Sequence, residues 1–345
     1  MSTSAERLVG LTLDGGWSVI ELLPKSSIQT GGAFSCSYHI EHPDGRKAFL
    51  KAMDFDAALS DPDPAGKLKE LTEAYVFERT IVELCGTRKL SRVIRAHGSG
   101  TKTPLGGTVV QYLIFELGEG DVRKQLSQMT EFNLLWRLKC LHHLFVAIQQ
   151  LHGSQIVHQD VKPSNVVGCG DEGHKVADLG RAWHALTSSP FDGNQCAGDT
   201  NYAPPELLYS GAILTEEERR QGADFFALGS MVVFMFTGLR MTAALMSAMP
   251  ASLRWRATAE TYANVLPELQ HAFGTVLYQL RAAIPNDALW VEVKMIVEQM
   301  CNPDIVKRGD KGHTAKIGSR FGLQRFISKL NTLCTKAELG KLGTV

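Results

Sequence analysis

The chain has 345 residues, 44% of them apolar, enough for one large domain or two lobes, which excludes a disulfide-stapled miniature and a dominantly disordered chain. Lysine plus arginine number 36 and aspartate plus glutamate also 36, so no global positive field exists to hold a phosphate backbone, and no nucleic-acid partner is expected. The 7 cysteines are scattered without a CxxC pair, which argues against a zinc cluster or an oxidised framework and for a reducing compartment.

Residues 1–14 read as an extension. They carry no basic segment followed by an apolar core, and the longest apolar stretch, 225–236, is interrupted by Gly229 and Ser230 and too short to span a bilayer. A cytoplasmic protein with no membrane partner is therefore expected. From Trp17 onward the chain shows short β-type runs at 17–23, 35–40, 47–52 and 109–115, separated by turns such as HPDG at 42–45. One helical stretch, 67–84, interrupts them. Residues 15–117 thus predict a small, mostly antiparallel sheet with one main helix.

ELGEG at 116–120 reads as a short connection. Beyond it the period becomes helical, and 118–335 predict a larger, mainly helical lobe, with 336–345 as a tail. Leu134, Leu135, Leu138, Leu141, Leu144, Phe145, Ile148 and Leu151 form one apolar face, which Thr130 can cap and Gly153 can end. Further helices are expected at 222–237, 258–283, 288–301 and 321–335. The fold class is α+β and bilobal.

The densest chemistry lies in IVHQDVKPSNVV, residues 156–167. A carboxylate at Asp160 can accept a hydroxyl proton, Lys162 can neutralise a transferred phosphate, and the amide of Asn165 can ligate a divalent cation. Asp178 follows in DLG and completes an oxygen-ligand pair with Asn165 suited to magnesium. Either motif alone is an ordinary turn; the two in this order are a phosphoryl-transfer pattern.

With these motifs in place, the chain resembles the eukaryotic-type protein kinases over roughly residues 15–335, the serine/threonine branch more closely. The resemblance implies a bilobal kinase-like fold, ATP and Mg2+ as cofactors, and a protein substrate. AFLK ends in Lys51, at the position of the strand lysine that binds the α- and β-phosphates, and FERTIVEL places Glu78 as its partner. HQDVKPSN makes Asp160 the base, with Lys162 on the γ-phosphate and Asn165 on one magnesium; DLG makes Asp178 the second metal ligand. FELGEGDV resembles the hinge, with Phe115 at the gatekeeper position, Glu116 and Leu117 offering backbone groups to adenine, and Asp121 near the ribose. In TGGAFSCSY the family's three-glycine loop is reduced, leaving Gly31, Gly32, Ala33 and Phe34 to cover the phosphates. NYAPPELLY supplies Glu206 and VKRGD its buried partner Arg308, while ADFFALG supplies Asp224 to hold the backbone of the catalytic loop.

Departures from the family pattern are informative. Gln159 stands where arginine commonly precedes the catalytic aspartate, so a phosphate on Thr187, Ser188, Ser189 or Thr200 lacks its usual partner, Arg181 being a weaker substitute. Activity is therefore expected without phosphorylation of this activation segment. Leu179 replaces the phenylalanine of DFG, and Asp199 stands three residues before Tyr202, where many serine/threonine kinases have threonine. Two other readings stand beside the kinase: a pseudokinase serving as a nucleotide-binding or scaffolding module, favoured by the reduced glycine loop and Gln159, and a small-molecule kinase, against which the PPE segment counts. The 239–285 segment is longer than expected and could carry a regulatory partner. Asp54, Asp56, Asp61 and Asp63 read as a solvated connection, since their spacing lacks the glutamate and glycine of a calcium loop. His142 and His143 read as packing residues, His158 as support under the catalytic loop. The excess of 7 basic over 2 acidic residues in 309–345 reads as a solvated helix face.

Overall fold

The computed structural model describes residues 2–24, 34–284, 286–310 and 319–342. Five antiparallel strands, β1 (Ser18–Leu22), β2 (Ser35–Glu41), β3 (Lys47–Met53), β4 (Ala96–Lys102) and β5 (Val110–Glu116), form a sheet of order β1-β2-β3-β5-β4. The strand period of two decides which side chains go inward. Cys36, Tyr38, Ile40, Ala48, Leu50, Ala52, Tyr112 and Ile114 are buried on one face. Lys51 and Leu113 pair across β3 and β5 and belong to the other. β4 is an edge strand outside the predicted β-type runs: AHGSGTK has two glycines and no apolar alternation, and its strand form rests on backbone pairing to β5, with Ala96 on the core and His97 stacked on Trp17.

The N-terminal segment is a part of this lobe in packing terms, and the expected boundary at residue 14 does not separate two bodies. Ala5, Leu8 and Leu13 are buried against Tyr38, Ile40 and Leu50. Gly10 N donates to Val19 O and Val19 N to Leu11 O, both at 2.9 Å, and the Tyr38 hydroxyl donates to the Ala5 carbonyl. The acidic run corrects the solvated reading: Asp54 accepts from the Thr3 hydroxyl at 3.0 Å, and Asp56 accepts from Ser4 N at 2.6 Å and the Thr108 hydroxyl at 2.5 Å. Asp63 caps α2 (Pro64–Thr87) by accepting from Gly66 N at 3.1 Å.

The larger lobe is built on α4 (Leu134–Gly153) and α6 (Gln221–Thr237), with α9 (Asp287–Met300) against α6 and a C-terminal helix, Gln324–Glu338, against α4. Asn133, accepting from Trp136 N at 2.9 Å, caps α4, in place of the expected Thr130; the chain turns helical only after Phe132 has packed on Phe236. Two basic residues of the C-terminal helix are paired rather than merely solvated: Arg325 meets Asp310 at 2.9 Å and Lys329 meets Glu292 at 2.6 Å. The 239–285 segment forms two helices, Met241–Ala248 and Tyr262–Ala282, whose Met241, Leu245, Val265, Leu269, Phe273 and Val276 join the main core. Among the described residues, no single helix is long and apolar enough to cross a membrane.

One core runs through both lobes. Leu113, Phe115, Tyr75, Ile81 and Val93 of the small lobe belong to the same buried cluster as Leu141, Ile148, Val176 and Leu179 of the large one. Two short hairpin-like sheets, Ile156–Val157 with Trp183–His184 and Val166–Gly168 with His174–Val176, bracket residues 158–165 at the junction.

Candidate active site

Glu78 occupies the buried stripe of α2, among Leu71, Tyr75, Ile81, Val82 and Cys85 at helical spacing. A carboxylate on an apolar stripe requires a cation opposite. β3 supplies it: Lys51 Nζ donates to Glu78 Oε1 at 2.8 Å and Oε2 at 2.9 Å, and to Asp178 Oδ1 at 3.2 Å. Burial works against the Lys51 charge, but Asp178 and Glu78 outweigh it and raise its pKa. Lys51 in turn holds the Asp178 carboxyl down to about 2, so that it is anionic across the working range. Burial pushes Glu78 up, against the pull of Lys51.

Residues 158–165 form a second cluster. Asp160 Oδ2 accepts from Lys162 Nζ at 2.8 Å and from Asn165 Nδ2 at 3.0 Å, and Oδ1 accepts from Asp199 N at 2.9 Å. Burial raises the Asp160 pKa while Lys162 opposes the rise. The loop's shape comes from below. Asp224, fully buried in the first turn of α6, accepts from Gln159 N at 2.7 Å and His158 N at 2.8 Å, and from His152 Nε2 at 2.9 Å. Gln159 and Asp178 stand at φ 63° and 61°, a left-handed conformation that non-glycine residues adopt at a cost, and Asp224 fixes the first of them. His158 supports the loop as expected of a packing residue: its Nδ1 accepts from Asp160 N at 3.2 Å, which leaves Nε2 to donate to Ala177 O at 3.1 Å.

The hinge residues fall between the lobes. Phe115 is buried, and Leu117 half-buried. Glu116 is more committed than the sequence implied. Its carboxylate receives Lys175 Nζ at 2.8 and 2.9 Å and Arg95 N at 2.7 Å, and its N–H donates to Arg95 O at 2.9 Å, which removes that amide as a donor to a ligand. Asp121 caps the helix Val122–Gln128 through Lys124 N at 3.0 Å. Phe34 packs beneath the Lys67 ammonium, 4.6 Å from its ring centroid, while Gly31, Gly32 and Ala33 lie outside the described residues.

Glu206 and Arg308 meet in the large lobe as a bidentate pair at 2.5 and 2.8 Å, both side chains without solvent exposure. Sequence reading missed how the segment above Asp160 is held. Gly198 passes so close to the loop that a Cβ there would stand 2.2 Å from Gln159 O, and it positions Asp199 N on the Asp160 carboxylate. Arg219 and Arg220, unremarkable surface-type residues in the sequence, reach Asp192, Asn194 and Gln159. Only the three-dimensional proximity of residues 25 to 61 positions apart reveals them.

Comparison with known proteins decides the family. The protein kinase domain model matches residues 31–310. The chain belongs to the protein kinase domain family. It is 31% identical over 130 residues to mitogen-activated protein kinase 15 of Caenorhabditis elegans, covering 37% of this chain and 27% of that protein. It is 26% identical over 144 residues to an Aurora kinase of Yarrowia lipolytica, covering 41% and 37%, and 37% identical over 92 residues to the serine/threonine-protein kinase AfsK of Streptomyces coelicolor, covering 27% and 11%. The matched stretches span well under two thirds of each relative. The kinase domain therefore has the bilobal α+β fold that its motifs implied, and serine/threonine kinases are among its relatives at modest identity.

Proposed function

We propose that this kinase domain transfers the γ-phosphoryl group of ATP, with Mg2+, to serine or threonine hydroxyls of a protein substrate. The observation that carries the reading is the convergence of Lys51, Glu78 and Asp178 with the Asp160–Lys162–Asn165 cluster, assembled from four separated stretches of chain. Phosphoryl transfer asks mainly for positioning and charge neutralisation, and these groups provide both. Lys51, oriented by Glu78, holds the non-transferred phosphates. Asp160 accepts a hydrogen bond from the acceptor hydroxyl and orients it, and Lys162 lies 2.8 Å from Asp160, at the point where negative charge must be met.

The donor set fits magnesium. Asp178 is anionic with about a third of its side chain exposed, and Asn165 donates through Nδ2 to Asp160 while its amide oxygen, which accepts from Ser164 Oγ at 3.3 Å, has a second lone pair for a cation. Among the described residues no group of three His, Cys, Asp or Glu side chains forms a metal site, so the ion would also draw ligands from the phosphates. When bound, magnesium supplies charge neutralisation on the phosphate oxygens.

A peptide acceptor is favoured by the NYAPPELLY segment after Asp199, held in place by the buried Glu206–Arg308 pair. Lys162, two residues after Asp160, favours the serine/threonine branch. The test is transfer of labelled phosphate from ATP to the protein itself and to a generic protein mixture, with phosphoamino-acid analysis and an Asp160→Ala control. Phosphoserine or phosphothreonine absent from the control supports the reading. Nucleotide binding without transfer above the control would return the chain to a binding module, and phosphotyrosine would overturn the acceptor class.

A further inference from the structure

We propose that Arg220 is a positioning residue for Asp160 and, with Arg219, a built-in organiser of the activation segment that makes phosphate on that segment unnecessary. The inference rests on the kinase reading above.

Arg220 lies at the N-terminus of α6 and is 3% exposed. A buried guanidinium must place its N–H groups on acceptors, and Arg220 does so on three stretches of chain. Its Nε donates to Glu216 Oε1 at 2.8 Å, Nη1 to Gln159 Oε1 at 2.7 Å, and Nη2 to Asp192 O at 3.2 Å. Its plane faces the Trp183 ring at 5.5 Å. Arg219 adds bonds to Asp192 O at 3.3 Å and Asn194 O at 3.2 Å.

Gln159 passes the constraint on. Its Nε2 donates to Arg181 O at 2.9 Å, so one amide side chain ties Arg220 to the backbone just after Asp178. Its own backbone is the left-handed residue fixed by Asp224, and its carbonyl is the surface on which Gly198 rests. Gly198 is followed by Asp199, whose N–H orients Asp160 Oδ1. The path from Arg220 to Asp160 therefore has two branches, one through the Gln159 peptide and one through residues 192–199.

A phosphate on residues 187–200 could engage Arg220 only by displacing Gln159 or the Asp192 carbonyl, because the guanidinium is already enclosed. Asp192 strengthens the point: its Oδ2 accepts from Ser189 N at 2.9 Å, while its Oδ1 is buried 3.8 Å from Arg220 Nη2, so a carboxylate already occupies the anionic side of the cation. The neutral Gln159 accepts from this arginine, where a second cation would repel it.

The test uses the full chain. Wild type is treated with phosphatase until intact mass shows no phosphate, and its initial rate is compared with untreated protein. Arg220→Met and, because a buried cation's loss could unfold the chain, the milder Gln159→Leu are measured for kcat, for ATP affinity and for amide hydrogen exchange over 158–160 and 181–199. The expected result is an unchanged wild-type rate without a lag, and in both variants a fall in kcat of at least tenfold, ATP affinity within threefold of wild type, and faster exchange in both regions. A merely structural role would move melting temperature without splitting kcat from nucleotide affinity. A lag abolished by pre-incubation with ATP, or variants with wild-type kcat and exchange, would overturn the proposal. If wild type transfers no phosphate to any acceptor, the kinase reading fails separately, and exchange decides the organiser: unchanged protection in Gln159→Leu sinks it, lost protection supports it.

Discussion

Replacing Arg308 by alanine should destabilise the large lobe at a place outside the Lys51–Glu78–Asp178 and Asp160 clusters. Arg308 and Glu206 are both fully buried, joined through two bonds, and Arg308 Nε also donates to Asn302 O at 3.0 Å while its guanidinium lies 5.0 Å from the Phe226 ring centroid. Removing the arginine leaves a carboxylate in a low-dielectric interior without its cation, a loss of about 3–5 kcal/mol. With an unfolding entropy of about 2.1 cal/mol/K per residue, a chain of 345 residues should melt about 4–7 °C lower. The double change Glu206→Gln with Arg308→Met removes both charges and keeps much of the volume beside Phe226. It should melt above Arg308→Ala, retaining a loss of about 1–3 kcal/mol for the unpaired amide. Differential scanning calorimetry of the three proteins reads both comparisons. Equal melting of wild type and Arg308→Ala, or a double variant no better than the single one, would refute the argument that the buried charge is what matters.

Lys51→Ala and Asp178→Asn should each lower transfer by more than about a hundredfold while leaving a cooperative melt, since asparagine tolerates the left-handed backbone at 178 and Lys51 faces the cleft; near-normal turnover at saturating magnesium would contradict the assignment. Asp224→Ala strips acceptors from His158 N and Gln159 N and should cost about 1–3 kcal/mol for each orphaned donor, read as a lower melting temperature and faster exchange at 158–160. Acid should weaken the fold through His174, whose two ring nitrogens are buried against Trp136 without partners among the described residues, and whose pKa burial lowers from 6.5 to about 4. The unfolded chain then takes the proton first, so this histidine's contribution is complete above pH 6.5 and is lost as pH falls toward 4, at about 1.4 kcal/mol per pH unit. His174→Phe should flatten that part of the melting curve against pH, and identical slopes in variant and wild type would refute it.

The sequence by itself determined the order of the chemistry and the two periods of the fold. Alternation in 35–40 and 47–52 and the apolar stripe of α4 are local patterns that survive folding because each buries one face. Asp160, Asn165 and Asp178 were legible because phosphoryl-transfer chemistry asks for such residue types at short offsets, whereas Lys51 and Glu78 were legible only through the family resemblance of the motifs around them. Edge strand β4 was not, because its glycines and polar residues are held by backbone pairing that any sequence can make. The tertiary structure alone decided what neutralises what. Asp54 and Asp56 read as solvated acids until the N-terminal segment is laid over them, and Glu116 reads as a hinge residue offering backbone groups until Arg95 O takes its N–H and Lys175, 59 residues away, takes its carboxylate. Arg219 and Arg220 likewise carry no signal in their own neighbourhood. A hydrogen bond or ion pair is short-ranged in space and indifferent to sequence separation, so these assignments become visible only once the chain has brought distant residues within about 3 Å.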